Sequence, residues 1–314
     1  MERYLVTGGA GFIGSHLVEA LLKQGHFVRV LDNFDTGSRE NLAGFAGQLE
    51  VVEASVEDPF RVREAVEGID FVLHQAARGS VPRSILDPVG TDGVNLTGTL
   101  HVLSAARDAG VKRVVFASSS SVYGETPVLP KEESMLPSPL SPYAVSKLAA
   151  EYYCKVFYNA YGLETVSLRY FNIYGPRQNP NLQYAAVIPI FIRNLLSHKP
   201  SVIYGDGEQT RDFTSVEDCV RANLLACKAP RAAGSVVNIA CGGQTSINQL
   251  YRLLARIFSS KMAPVYDPPR PGDVRHSYAE IVEAEKTLGY RPETGLQEGL
   301  EKTVNWFKGQ YLES

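Results

Sequence analysis

Tyr143 and Lys147 stand four residues apart in LSPYAVSKLAAEYY, residues 140–153. Ser141 suits a helix N-cap and Pro142 its first turn, so the two side chains share one face of a helix that begins there. A free phenol titrates near about 10, too high for a base at neutral pH. An ammonium beside it favours the phenolate. Tyr143 with Lys147 is therefore a candidate tuned acid–base pair. Upstream, VVFASSSSVYG closes an apolar run with four serines, Ser118 to Ser121. A hydroxyl at the end of such a run can share a substrate hydroxyl with Tyr143.

A second set of residues says what accompanies that pair. TGGAGFIGSH places Gly8, Gly11 and Gly14 in a GxxGxxG spacing between an apolar run and a helical stretch. Glycines there let the backbone approach a pyrophosphate, and the helix N-terminus adds free N–H groups and positive potential. Asp32 ends the next apolar run. A carboxylate in that place can hold both ribose hydroxyls of an adenosine and repels a 2′-phosphate, so NAD is expected over NADP. The positive charge of an oxidised nicotinamide would further favour the Tyr143 phenolate, and Lys147 can reach the nicotinamide ribose.

Elements must exist to bring these residues together. Runs at Tyr4–Thr7, Phe27–Asp32, Leu49–Glu53, Ile69–Gln75, Lys112–Ser119 and Thr165–Phe171 read as strands. Helical stretches lie between them, near Phe12–Lys23, Pro59–Glu67, Val94–Ala109 and Pro142–Tyr161. Continuous apolar strands alternating with helices predict an α/β fold, a doubly wound parallel (Rossmann-type) sheet covered on both faces. Ligands of such sheets lie beyond the carboxyl ends of the strands. After Asn172 the loop NIYGPRQNPNLQY breaks the pattern. A helix near Ala186–Ser197, a strand and helix over Asp212–Cys227 and a strand at Ser235–Ala240 follow, and then two or three helices. The expectation is a smaller α/β substrate domain interleaved with the first: 1–172 and 209–240 against 173–208 and 241–314.

Composition narrows the function classes. The 314 residues carry a net charge of −3, with no basic tract of the kind that binds nucleic acid. Cys154, Cys219, Cys227 and Cys241 form no CxxC pair, so neither a metal site nor a disulfide framework is indicated. No apolar run approaches the roughly 20 residues needed to span a bilayer. MERYLVTGG enters a strand at once, which leaves no room for a signal peptide. A cytoplasmic protein without membrane partners is expected.

With these residues in place the chain resembles the extended short-chain dehydrogenase/reductase superfamily. The resemblance rests on TGGAGFIG, Asp32-Asn33, HQAA, NLTGT, SSSSVYG, YAVSK and RYFNIYGP, in that order, and continues through GDGEQTRDF and RPGDVRHSYA. Within it, GSVPRSILDP, RQNPNLQYAAVIP and GDVRHS are similar to nucleotide-sugar 4-epimerases, most of all those acting on UDP-N-acetylglucosamine. The resemblance implies NAD held by Gly8, Gly11, Phe12, Ile13, Gly14, Asp32, Asn33, Ser55, Val56, Gln75, Ala76, Ala77, Asn95, Tyr143 and Lys147. One departure bears on this set: where relatives carry Gly-Asp-Ile, this chain has Ala54-Ser55-Val56.

For a UDP-sugar the resemblance implies Val187, Val202 and Tyr204 around the uracil, Arg211, Arg270 and Asn172 at the diphosphate, and Asp273 at the ribose. Guanidinium groups suit phosphate oxygens because they bind them bidentately. Ser80, Val81 and Arg83 would approach the hexose. The catalytic serine falls on Ser119, four residues before Tyr123, with Ser120 and Ser121 open as alternatives. Ser277, before Tyr278-Ala279, takes the position that gates the 2-substituent of the sugar, and it is small. The implied reaction is hydride removal from C4 to NAD with proton transfer to Tyr143, turning of the 4-keto sugar, and return of both to the other face. A 4,6-dehydratase would need an Asp-Glu pair, and a UDP-glucuronate decarboxylase a Glu, where this chain has Ser120-Ser121. UDP-glucose and UDP-glucuronate 4-epimerases stay open, as does a dinucleotide sensor without turnover. By analogy the chain forms a homodimer through helices over Asn95–Ala109 and Tyr143–Tyr161.

Overall fold

A computed structural model describes residues 1–180, 186–269 and 274–312. The N-terminal half runs β1 (Arg3–Thr7), α1 (Phe12–Lys23), β2 (Phe27–Asp32), α2 (Glu40–Ala43), β3 (Glu50–Glu53), α3 (Pro59–Val66) and β4 (Phe71–His74). Then come α4 (Val81–Leu86), α5 (Pro88–Asp92), α6 (Gly98–Asp108), β5 (Arg113–Ser119), α7 (Pro142–Tyr161) and β6 (Glu164–Tyr170). The remainder is β7 (Ile173–Tyr174), α8 (Val187–Leu196), β8 (Val202–Tyr204), β9 (Thr210–Arg211), β10 (Thr214–Ser215), α9 (Val216–Lys228) and β11 (Ser235–Ile239). It ends with β12 (Thr245–Ser246), α10 (Ile247–Ile257), β13 (Val265–Asp267), β14 (His276–Ser277), α11 (Val282–Leu288) and α12 (Leu296–Leu312).

Seven strands form one parallel sheet in the order β11-β6-β5-β4-β1-β2-β3. Apolar side chains on both strand faces demand cover on both sides. Val6, Val30, Leu73 and Val115 pack with α1 and α9 on one side, and Leu5, Leu31, Val72 and Val114 pack with α3, α6 and α7 on the other. The strand order reverses direction between β1 and β4. That opens a crevice at their carboxyl ends, where the loops after β1, β2, β4 and β5 converge. The doubly wound sheet is thus as the sequence predicts.

A third core joins α8, α10 and α12 around Phe191, Ile192, Ile203, Leu250, Leu254, Leu300 and Val304. Small sheets β13–β8 and β12–β9–β14 lie in this part of the chain. Ala284, Leu288 and Tyr290, from α11 and just beyond it, pack against the large sheet and not in this third core.

Two local differences from the sequence reading have plain causes. The helix expected over Val94–Ala109 starts earlier, at Pro88, because Asp87 accepts from Gly90 N at 2.9 Å and Pro88 suits the first turn. It widens to a π turn over Gly93–Thr97 before α6. The strand expected to open Asp212–Cys227 reduces to β10, because Asp212 is a buried carboxylate accepting from the N–H groups of Cys241, Gly242 and Ala279. Among the described residues no helix is long and apolar enough to cross a membrane.

Candidate active site

One cavity of about 1270 Å³ occupies the crevice and runs from the β1–α1 loop to the end of β5. Its walls carry Gly8, Gly11, Phe12, Ile13, Gly14, Asp32, Asn33, Ser55, Val56, Gln75, Ala76 and Ala77 at one end, and Ser119, Ser120, Ser121, Tyr143 and Lys147 towards the other. Ser80, Val81, Arg83 and Asn172 complete the set that the structure brings together.

The β1–α1 loop is tight because of its glycines. Gly8 has φ +68°, and a Cβ there would sit 2.8 Å from Ala76 N. A Cβ on Gly14 would lie 2.0 Å from the Gly8 carbonyl oxygen. At Gly11 the helix N-terminus has no side-chain cap and its first turn has no acid, so its N–H groups and positive potential face the cavity unneutralised. Asp32, 7% exposed, accepts from Ala10 N at 2.9 Å and Phe34 N at 2.8 Å, and this ties it to the glycine loop. Burial pushes its carboxyl up, and those two N–H groups pull it back. Each oxygen keeps a second lone pair for a ribose hydroxyl. An uncapped helix end for a pyrophosphate, with a carboxylate beside it for a ribose, fits NAD.

At the other end Ser141 accepts from Ala144 N at 3.2 Å and starts α7, as the sequence predicts. Tyr143 faces Ser119, and this hydrogen bond lowers the phenol while burial raises it further. Ser119 Oγ accepts from Ser121 N at 3.2 Å and from Ser121 Oγ at 2.9 Å. Its own proton is left for Tyr143. Ser118 is turned away and donates to buried Glu151. Of the serine run, Ser119 is thus the hydroxyl that meets Tyr143, with Ser121 as its support, and Ser120 also lines the cavity. Lys147 is 3% exposed and donates to the Ala117 carbonyl at 2.8 Å. Burial lowers its ammonium to about 8. The direct lowering of Tyr143 by Lys147 that the sequence predicts is not seen. One N–H of the ammonium is given to Ala117, and the net shift of the phenol is upward, from burial.

Asn95 is buried off the cavity wall. Its amide accepts from Arg78 N at 2.8 Å and donates to Arg78 O at 3.3 Å and to Ser146 Oγ at 3.0 Å. It shapes the loop after Ala77 from behind. A relay connects it to the glycine loop. Thr99 Oγ1 gives its one proton to Asn95 O at 2.6 Å, so it accepts from His74 Nε2 at 2.9 Å. His74 Nδ1 then accepts from Thr7 Oγ1 at 2.7 Å, which in turn accepts from Ala76 N at 3.2 Å. Burial pushes His74 down to about 3, so this imidazole is neutral at physiological pH.

The residues assigned to UDP fall differently. Val187, Val202, Tyr204, Arg211 and Ser277 do not line this cavity among the described residues. Arg211 and Ser277 are register partners on β9 and β14. Arg270 and Asp273 lie outside the described residues. Conversely, Arg177, Arg193, Trp306 and Gln310 line the cavity although the sequence reading missed them. Arg177 stands in the Pro/Asn-rich loop, whose length was the available signal. Trp306 and Gln310 come from α12, whose sequence carries no chemical motif.

Residues 4–240 match the NAD dependent epimerase/dehydratase family, and the chain belongs to it. NAD is its cofactor. The chain is 40% identical over 312 residues to the UDP-glucose 4-epimerase of Mycolicibacterium smegmatis, covering 98% of this chain and 99% of that protein. It is also similar to the solved UDP-N-acetylglucosamine 4-epimerase of Methanobrevibacter ruminantium M1 in complex with UDP-N-acetylmuramic acid. There the TM-score is 0.95 and the identity 39%, over 98% of this chain and 99% of that one. The UDP-glucose 4-epimerase of Thermus thermophilus in complex with NAD gives a TM-score of 0.89 and 40% identity over 98% and 99% of the two chains.

Proposed function

We propose that this chain interconverts the C4 epimers of UDP-hexoses, with UDP-N-acetylglucosamine and UDP-N-acetylgalactosamine as its preferred pair. The observation that carries the reaction class is the Tyr143–Ser119 contact in the same cavity as the uncapped helix end and Asp32. Bound NAD supplies a hydride acceptor, then a hydride donor, for C4. Tyr143 moves one proton: as phenolate it takes it from the 4-hydroxyl, and as phenol it returns it to the 4-oxygen. Ser119 turns its one proton from Tyr143 to the 4-oxygen when the sugar is bound, and so holds that oxygen. Lys147, fixed by Ala117, keeps a positive charge behind both. Ser120 and Ser121 offer only alkyl hydroxyls near C5 and C6, which disfavours dehydration.

The N-acetyl preference is argued from Ser277, small, half-buried and in register with Arg211. The uridine diphosphate is assigned to Val187, Val202, Tyr204, Asn172, Arg211, Arg270 and Asp273. Product analysis with UDP-N-acetylglucosamine, UDP-glucose and UDP-glucuronate side by side tests both levels. Epimerisation of none of the three removes the reaction. Faster turnover of either sugar without the acetamido group removes the preference.

A homodimer belongs to the same proposal. Val145, Tyr152 and Val156 on α7 are about half exposed, and Ile85, Leu86 and Val89 on α4 and α5 more so. Val89, Leu140, Pro142 and Val145 share one shallow depression, so the apolar surface is continuous between these helices. A second copy is the occupant assigned to it, and a monomeric mass in solution at micromolar concentration would remove the assignment.

A further inference from the structure

Behind the reacting face lies a charge pair that the mechanism above does not use. Glu151 and Arg169 are 3% and 4% exposed. Arg169 Nε donates to Glu151 Oε1 at 2.9 Å and Nη2 to Oε2 at 2.7 Å, a bidentate pair. Apolar residues of similar volume often replace such buried pairs without loss of stability, so stability alone is a weak reason for one.

The placement supplies another reason. Tyr143, Lys147 and Glu151 follow one another at four-residue spacing along α7. They engage three consecutive residues of β5: Tyr143 meets Ser119, Lys147 the Ala117 carbonyl, and Glu151 the Ser118 hydroxyl. Glu151 makes the third of these contacts, and through Arg169 it also reaches β6. We propose that Glu151 is a positioning residue for the Tyr143–Lys147–Ser119 centre, fixing the register of α7 on the end of β5 and serving as the counter-charge of Lys147. The role of this register in turnover rests on the epimerase reading given above.

Among the described residues, the groups facing Lys147 leave no other anion for that part. On α7 they are Tyr143, Glu151 and Cys154, and burial pushes the Cys154 thiol up to about 12, so it is neutral. On β4 His74 is also neutral, and on β6 Arg169 is already paired with Glu151. Burial lowers Lys147, and Cys154 and Glu151 oppose that shift. With Cys154 uncharged, the opposition at neutral pH comes from Glu151.

Glu151→Gln keeps the shape and the acceptor for Ser118 but removes the charge, and Ser118→Ala keeps the charge but removes the clasp. Both are made in NAD-loaded protein carrying ε-13C lysine, with the Lys147 signal assigned by Lys147→Met. In Glu151→Gln the Lys147 titration midpoint is expected about one pH unit lower or more. Its kcat should fall at least about tenfold with KM for the UDP-sugar held within about threefold. Ser118→Ala should leave the midpoint in place and lower kcat about three- to tenfold. A purely structural Glu151 would depress the melting temperature and leave kcat within about threefold, and that result, or an unmoved Lys147 titration, overturns the proposal. Should Glu151→Gln not fold, Ser118→Ala with an unaltered kcat overturns it instead. Failure of the epimerase reading is seen separately, as unaltered protein that turns over no UDP-hexose, and the Lys147 titration then still decides on Glu151.

Discussion

Lys147 donates to Ala117 at 2.8 Å, two residues before Ser119 on the same strand. Its ammonium lies 6.0 Å from the centre of the Tyr143 ring. The lysine therefore reaches the tyrosine through the strand that carries Ser119. The phenol's own hydrogen bond is with Ser119.

In the proposed reaction Tyr143 is the proton carrier at the 4-oxygen. Tyr143→Phe keeps the ring and loses the hydroxyl. Turnover is expected to fall at least about a hundredfold, the lower end for a lost general base. NAD content and melting temperature should stay close to those of the unaltered protein. Turnover near the original rate in the purified variant would take Tyr143 out of the mechanism.

Lys147 carries a cost to stability that can be measured. Its ammonium titrates at about 8 in the fold against 10.5 for the ordinary side chain. Between these values the unfolded chain binds more protons than the folded one, so stability rises with pH across that window. Below about 8 the whole penalty is present, of order 3 kcal/mol. Methionine removes it and forfeits the Ala117 bond, worth about 1 kcal/mol. Lys147→Met is thus expected to be at least as stable as the unaltered protein in urea at pH 7, with the advantage shrinking towards pH 10. Turnover should drop by about a hundredfold or more. A variant that is less stable at pH 7 than at pH 10, relative to the unaltered protein, contradicts this.

Most of the sheet and the cofactor end of the site were legible in the sequence, for local reasons. Gly8 and Gly14 are where no Cβ fits, Asp32 ends a strand, and Ser141-Pro142 starts a helix. Each of these is decided within a few residues of chain. The division of labour in the serine run was not legible, because it depends on Glu151, a turn beyond Lys147 on another element, claiming Ser118. Asn95 looked like a wall residue but works from behind, since its amide matches the Arg78 backbone 17 positions away. Arg193 and Trp306 were invisible because their place on the cavity wall comes from packing of the third core, which leaves no motif.

Asp32 has a double duty that a substitution separates. Its oxygens hold the Ala10 and Phe34 N–H groups and face the cavity. Asn offers one acceptor and turns an NH2 towards the other N–H. A lost hydrogen bond to a charged group costs about 1.5–3 kcal/mol. Asp32→Asn should therefore weaken NAD roughly 10- to 150-fold and narrow the preference for NAD over NADP. Trp306 is the chain's single tryptophan and lines the cavity, so its fluorescence can follow both titrations. Tighter binding of NADP than NAD by the unaltered protein would show that Asp32 does not read the ribose.

The choice of sugar is the last point, and the proposal assigns it to Ser277. Its strand is pinned on both sides: Ser277 is in register with Arg211, Tyr278 O accepts from Lys131 N at 2.9 Å, and Ala279 N donates to Asp212 at 3.3 Å. A backbone held in this way yields little when a side chain grows. An acetamido group is bulkier than the hydroxyl it replaces by a whole acetyl, and overpacking of that kind costs about 1–3 kcal/mol. That corresponds to roughly a factor of 5 to 150 in binding. Ser277→Tyr is therefore expected to suppress turnover of UDP-N-acetylglucosamine by about that factor while leaving UDP-glucose nearly untouched. Rates for both sugars on the same preparation decide it, because damage to the fold lowers both together. Equal loss on the two substrates, or none on either, would mean that Ser277 does not meet the sugar and that the gate is another residue.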